Sequence, residues 1–253
     1  MEPLLGIPCV NAGVAVGIGL DYLFARWRPL LHEGDVVYLP MEEAQYTRSY
    51  AATSVGPDAA IMFRHDRATL SELPFDRWLG AAFSFGPRAA LMSLIETALV
   101  WSGFEDPREA GLGSMNARGD HVGHTRALGE VNAARLAIVT PYHEPAAAIA
   151  RGDGTAMVRE FVQWALPHGV RVVGGLPADF ADSPMPEATR AAIRDVFTGA
   201  GARFLDLGDR ARYPRSAFFD TPDHLNEAAQ IDHSRVVAAE LAVILAPAQA
   251  ASR

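Results

Sequence analysis

Apolar residues along this chain fall into two recurring patterns. Short unbroken runs rich in β-branched residues occur in IPCVNAGV, GDVVYLP, VRVVGGLP and ARFLDLG, as expected of strands buried on both faces. Between them lie longer stretches whose apolar positions recur at helical spacing. The runs predict strands over residues 7–12, 36–39, 136–140, 170–173 and 203–207. The helical spacing predicts helices in GIGLDYLFARWRPLL and over residues 154–166, 186–198 and 226–245. The last of these opens on Asn226, a residue type that caps helix N-termini through its side-chain oxygen.

Strands alternating with helices define an α/β protein with a mainly parallel sheet. No linker, repeat or low-complexity run divides the chain, so residues 1–253 read as one domain. Residues 45–131 form a mostly helical insertion, with helices expected around 75–101. In open parallel sheets, ligands gather outside the carboxyl ends of the strands. That rule directs attention to NAG, PMEEAQY, TPYHE, GLPADF and FFDTPDHLN.

Composition removes several alternatives. The formal charge of −8 and the absence of lysine leave no basic face for nucleic acid. A single cysteine, Cys9, excludes an internal disulfide and a cysteine-based zinc site. The apolar segment 4–20 is interrupted by Pro8 and Asn11, lacks the basic start of a signal peptide and is short for a membrane span. It reads as a buried strand, and no membrane-spanning segment is expected.

The candidate chemistry sits in the segments after the strands. His224 follows Asp223 by one residue and Asp220 by four. It is either a solvated loop histidine, with Asp223 favoured by the helix dipole, or a general base oriented by Asp220. Glu42 and Glu43 end a strand, as first-turn helix acids or as groups facing a cleft. Asn11 precedes Gly13 and fits turn chemistry or a binding site. His121 and His124 share a metal-like spacing, yet no third ligand lies near; they and His143 read as surface residues. Neither a dinucleotide fingerprint nor a GxSxG elbow is present, so no cofactor is expected.

The run FFDTPDHLNEAAQIDHSRVVAAEL resembles the final block of SGNH (GDSL-type) hydrolases, closest to a variant reading FYDTxYHLNxxG that accompanies bacterial polysaccharide modification. IPCVNAGVAVGIGL is similar to that group's second strand and helix, GDVVYLPMEEAQY to its third strand, and NARGDHVGH to an Asn-x-x-Gly-Asp segment of its insertion. The resemblance implies a flavodoxin-like three-layer α/β/α fold and Ser-His-Asp chemistry. His224 would be the base and Asp220 its orienting acid, with Asp223 in reserve; Asn11 and Glu42 would line the substrate cleft. The implied partner is a polysaccharide or an acylated sugar, and the family context implies export to the periplasm.

The family's nucleophilic serine follows its first strand, and MEPLLGIPCVNAG aligns just downstream of that block. The implied first strand would lie between those at 7–12 and 36–39. Three readings follow: a longer natural protein that carries the serine, a non-catalytic relative, or another segment such as ARLAIVTPY filling the slot with Ser114 or Ser183 recruited. The expected function is a carbohydrate ester hydrolase or O-acetyltransferase, inactive as the chain stands; the alternative is a non-catalytic polysaccharide-binding or assembly module.

Overall fold

Two ladders of parallel backbone hydrogen bonds organise the computed structural model, which describes residues 1–13, 16–53, 59, 62, 66–82, 87–104, 116, 119–120 and 122–246. Strand β1 (Val36–Leu39) pairs in parallel with β2 (Arg171–Gly174), Val36 opposite Arg171 and Leu39 opposite Gly174. The carboxyl end of β2 pairs in parallel with β4 (Arg203–Phe204), giving the order β1-β2-β4. A second parallel pair, β3 (Asp179–Phe180) with β5 (Arg212–Tyr213), lies downstream of β2 and β4. The fold is α/β, with far more helix than strand.

The alternation within β1 and β2 explains the core. Val37, Leu39 and Val172 pack with Val158, Phe161 and Val162 of one helix (Asp153–Ala165) and with Ile193, Val196 and Phe197 of another (Glu187–Thr198). Val36, Tyr38 and Val173 belong instead to a cluster with Val237 and Leu241 of the terminal helix Glu227–Leu245. Successive strand residues point to opposite faces, so short strands can hold helices on both. Full burial of one such aliphatic side chain stabilises by roughly 1.5–3 kcal/mol.

The expected strands at 36–39 and 170–173 are present, the second displaced by one residue, and that at 203–207 is cut to two residues. The helices expected at 154–166, 186–198 and 226–245 form as Asp153–Ala165, Glu187–Thr198 and Glu227–Leu245. Asn226 caps the last of them, its side-chain oxygen accepting from the Ala229 amide at 3.1 Å. The described part of the insertion is helical, including Arg67–Glu72, Phe75–Ala82 and Pro87–Trp101. Its first helices are pinned to Leu20–Trp27 by the fully buried Arg77, whose Nε lies 2.6 Å from Asp21.

Two expected strands are corrected. Residues 7–12 form no strand: Ile7 and Val10 are exposed, and a short helix, Glu2–Leu5, precedes them. Pro8 and the Asn11–Gly13 turn outweigh the β-branched pattern. Residues 136–140 were expected to be a strand, but Ala133–Ile138 is a helix that buries only Leu136 and exposes Ile138. The run AARLA is made of strong helix formers, and without a sheet partner that propensity decides.

One close approach fixes the corner beside the sheet. A Cβ at Gly154 would sit 1.8 Å from the Gln45 carbonyl oxygen, and one at Gly152 would sit 2.0 Å from that of Tyr46. Only glycine lets the start of Asp153–Ala165 lie on the backbone of helix Glu43–Thr47. The carboxyl end of β4 is tied differently: Asp206 receives Arg190 at 2.6 Å, Arg194 at 2.7 Å and the Gly208 amide at 2.9 Å. Burial pushes this carboxyl up, but the amide and the two guanidinium groups outweigh it and hold it below its ordinary 3.8.

Gly154→Ala is expected to lower the urea midpoint at constant slope by an amount worth about 3 kcal/mol, the upper range for overpacking. Asp206→Asn should cost about 1–2 kcal/mol at pH 7, between exposed and buried pairs. Because the folded carboxyl titrates below the unfolded one, that contribution is complete above the unfolded value and disappears as pH falls through the folded one. Wild type and variant should therefore converge in stability well below pH 3.8, measured by thermal unfolding across pH.

Candidate functional site

Segments far apart in sequence bring their acids together beyond the carboxyl ends of the strands. Glu42 lies three residues past β1 and precedes helix Glu43–Thr47 without capping it through its side chain. The half-buried carboxyl is therefore not used by the helix. Burial raises its pKa; the Asp223 charge adds to the rise, while His224 and Arg48 oppose it. Glu42 thus lies within electrostatic reach of the final loop.

That loop is held at both ends. The Phe219 amide donates to the His224 carbonyl at 2.7 Å, and the Asn226 amide donates to the Ala217 carbonyl at 2.8 Å. The Asn226 side chain also donates to the Ser216 carbonyl at 3.0 Å. Within this frame His224 Nδ1 lies 2.8 Å from Asp220 Oδ1, with the imidazole about half exposed. Asp220, rather than Asp223, is the bonded acid. A carboxylate at Nδ1 keeps that nitrogen protonated and leaves Nε2 with a lone pair.

Asp223 serves differently. Its residue is exposed, yet protein crowded around the carboxyl raises its pKa, helped by Asp179 and opposed by His224 and His143. The exposure limits how far that crowding counts. Asp179, in β3, is raised by burial against the pull of its bond to the Phe180 amide, 3.0 Å, a bond to the Met185 amide, and His143.

A second histidine–carboxylate pair stands within electrostatic reach of these acids, His143 acting on both Asp179 and Asp223. His143 Nδ1 lies 2.7 Å from Glu43 Oε1, and the Glu144 amide donates to Glu43 Oε2 at 2.6 Å. Glu144 in turn accepts from the Thr47 hydroxyl at 3.0 Å and, through its carbonyl, from Thr189 at 2.8 Å. His143 had read as a surface residue; here it is largely buried. The signal lay in its position, since TPYHE and GLPADF were both among the segments singled out, but pairing it with Glu43 needed the fold.

Asn11 is exposed. Its side chain accepts the Gly13 amide at 3.0 Å, the turn expected of it. Its carbonyl abuts Gly119, where a Cβ would come within 2.4 Å and φ is +80°, so the NAG and NARGD segments meet. Farther along, His124 stacks on Phe219 at 4.4 Å, and its carbonyl accepts from the Glu227 amide at 2.9 Å. The end of the insertion thus touches both the first and the last of the segments that carry the resemblance. His121 and Ser114 lie outside the described residues. Ser183 is half-buried, its amide bonded to the Phe180 carbonyl at 3.2 Å. Among the described residues, no hydroxyl or thiol hydrogen-bonds to His224, and no group of three or more His, Cys, Asp or Glu side chains is arranged to hold a metal ion.

No family model, no curated protein and no solved structure matches this chain. No described helix is long and apolar enough to cross a membrane.

The raised Glu42 carboxyl makes a stability prediction. A folded-state carboxyl above its ordinary 4.5 opposes folding once it is charged, and that penalty is absent below 4.5 and complete above the folded value. Glu42→Gln should therefore raise Tm by about 1–2 °C at pH 7 and leave it unchanged at pH 4, a pattern typical of residues kept for function at a cost in stability. Calorimetry at the two pH values checks it.

Proposed function

We propose that the segments carrying Glu42, Asp223 and His224 form the site of an SGNH-like carbohydrate ester hydrolase or O-acetyltransferase acting on a bacterial polysaccharide. The observation that carries this reading is the Asp220–His224 pair at 2.8 Å, at the carboxyl side of a parallel sheet. Asp220 would hold the imidazole with Nε2 bare, and Nε2 would take the proton of a hydroxyl attacking an ester carbonyl. Glu42 would bind sugar hydroxyls beside it, and Asn11, whose side-chain oxygen holds its own turn, would line the cleft with it. The flavodoxin-like three-layer arrangement belongs to the same reading. It is supported by helices packed on both faces of the strands and by β1, which has β2 as its one ladder partner among the described residues. Its other edge is where the resemblance puts the strand bearing the serine.

One observation favours the second reading, a polysaccharide-binding module that keeps the cleft without the chemistry. No described hydroxyl bonds His224, so the base lacks an aligned nucleophile among the described residues.

The decisive assay is hydrolysis of 4-nitrophenyl acetate and of an O-acetylated oligosaccharide. The 253-residue chain is expected to turn over near background while binding the oligosaccharide. A chain carrying a serine-bearing strand ahead of Met1 is expected to gain activity, which His224→Ala then reduces by roughly 10⁴-fold. Inactivity of the extended chain with binding intact would select the binding module. Robust turnover by the 253-residue chain that is indifferent to His224→Ala would overturn both the base assignment and the site.

A further inference from the structure

Helix Pro87–Trp101 is turned inside out. At 3.6 residues per turn, Leu91, Met92, Leu94, Ile95, Leu99 and Trp101 fall on one half of its surface, and each is between 41% and 58% exposed. Thr97, which is buried, and the half-buried Glu96 and Val100 fall on the other half. An ordinary surface helix does the reverse, hiding its apolar stripe and turning its polar residues to water.

The chain just past the helix enlarges this face. Gly103, at φ +94°, reverses the backbone: its amide donates to the Val100 carbonyl at 3.0 Å, and the Phe104 amide donates to the Leu99 carbonyl at 3.1 Å. That pair of bonds is a helix-ending turn that brings the residue after the glycine back beside the last turn. Phe104, 64% exposed, therefore extends the face past Leu99. At one rim the Arg67 guanidinium stands 4.4 Å from the centre of the Trp101 ring. At roughly 150–250 Å² for a fully bared aromatic, and somewhat less for an aliphatic, the seven side chains expose on the order of 600 Å². A monomer's largest apolar patch rarely exceeds that area.

We infer that this face is the contact of a two-fold dimer, the partner being a second copy of the chain. Pairing two such faces buries on the order of 1,200 Å², where stable interfaces begin. Among the described side chains of the helix, Glu96 is the one charge, and it lies on the inner half. The face thus asks for no countercharge and is complementary to itself, as an isologous contact requires. Leu91, Ile95 and Leu99 form one row at four-residue spacing, with Leu94 and Ala98 in the next. A row from one copy fits the groove between the rows of the other. The exposed Ala98 lies near the middle, so the two-fold axis passes close to it and to Ile95. A lipid surface is a poorer match: the chain has no lysine and a formal charge of −8, whereas helices that lie on membranes carry basic polar faces. The dimer is independent of the carbohydrate reading.

Sedimentation equilibrium of the full chain over roughly 1–50 µM tests this, a range suited to interfaces of such size. The expected mass is twice the 27.2 kDa of one chain. Ile95→Glu and Ile95→Arg should each weaken the dimer about 100-fold or more, because like charges then meet at the axis, and an equimolar mixture of the two should recover it. Leu99→Glu should also sediment as a monomer. These positions are exposed, so circular dichroism and Tm should match wild type. A wild-type chain that is monomeric throughout the range overturns the inference. A dimer indifferent to all three variants does so too, since its contact lies elsewhere. An Ile95 mixture that stays monomeric overturns the two-fold arrangement. Monomeric wild type that floats with phosphatidylcholine or phosphatidylglycerol vesicles overturns the dimer in favour of a lipid surface.

Discussion

The backbone of helix Asp153–Ala165 rests on the backbone of helix Glu43–Thr47, and the rest of the site depends on that contact. Two missing Cβ atoms, at Gly152 and Gly154, make it sterically available. Around it the chain is fastened by the Tyr50 amide on Asp153 at 3.0 Å and the Thr155 hydroxyl on the Ile149 carbonyl at 2.6 Å. Tyr46 is driven into the core edge-on to Phe197, leaving Glu42 and Glu43 on the rim. A side chain at either glycine would push the rim helix outward. The Glu43–His143 bond would be among the first to lengthen.

The acids and imidazoles so assembled pull in opposite directions. Burial raises Glu42, Asp179 and Asp223, and a neighbouring acid adds to the rise at Glu42 and Asp223, while His143 or His224 opposes it at each. Paired groups whose surroundings push their protonation apart are a common property of sites that move protons. Structural ion networks look different here: at Asp206 the two arginines and an amide outweigh burial, and the carboxyl goes down.

Much of the frame was legible in the sequence. β1 and β2 announce themselves as β-branched runs bounded by turns, and the cap at Asn226 follows from residue type and position. Asp220 and His224 are four residues apart in one loop, so their pairing is a local matter that sequence can anticipate. The failures share a cause. Residues 7–12 and 136–140 look like strands by composition, yet a strand exists only with a partner, and neighbours in space are invisible in a linear pattern. Glu43 and His143 are a hundred residues apart, and no spacing rule could join them. Asn11 makes the turn that its residue type and Gly13 predict.

The same parallel register sets a timetable for the chain's own making. Val36 finds its partner in Arg171, so β1 leaves the ribosome 171 − 36 = 135 residues before the strand that will hold it. At synthesis rates of about 5–20 residues per second that is roughly 7–27 s of waiting. In the interval the intervening helices can gather their own small cluster of Ile18, Tyr22, Met62, Leu70 and Ala81. The loop that carries Asp220 and His224 comes later still, after Phe204 completes the sheet. The first half of the nascent chain therefore emerges with β1 still unclaimed, and the sheet and the Asp220–His224 pair are products of the last third of translation.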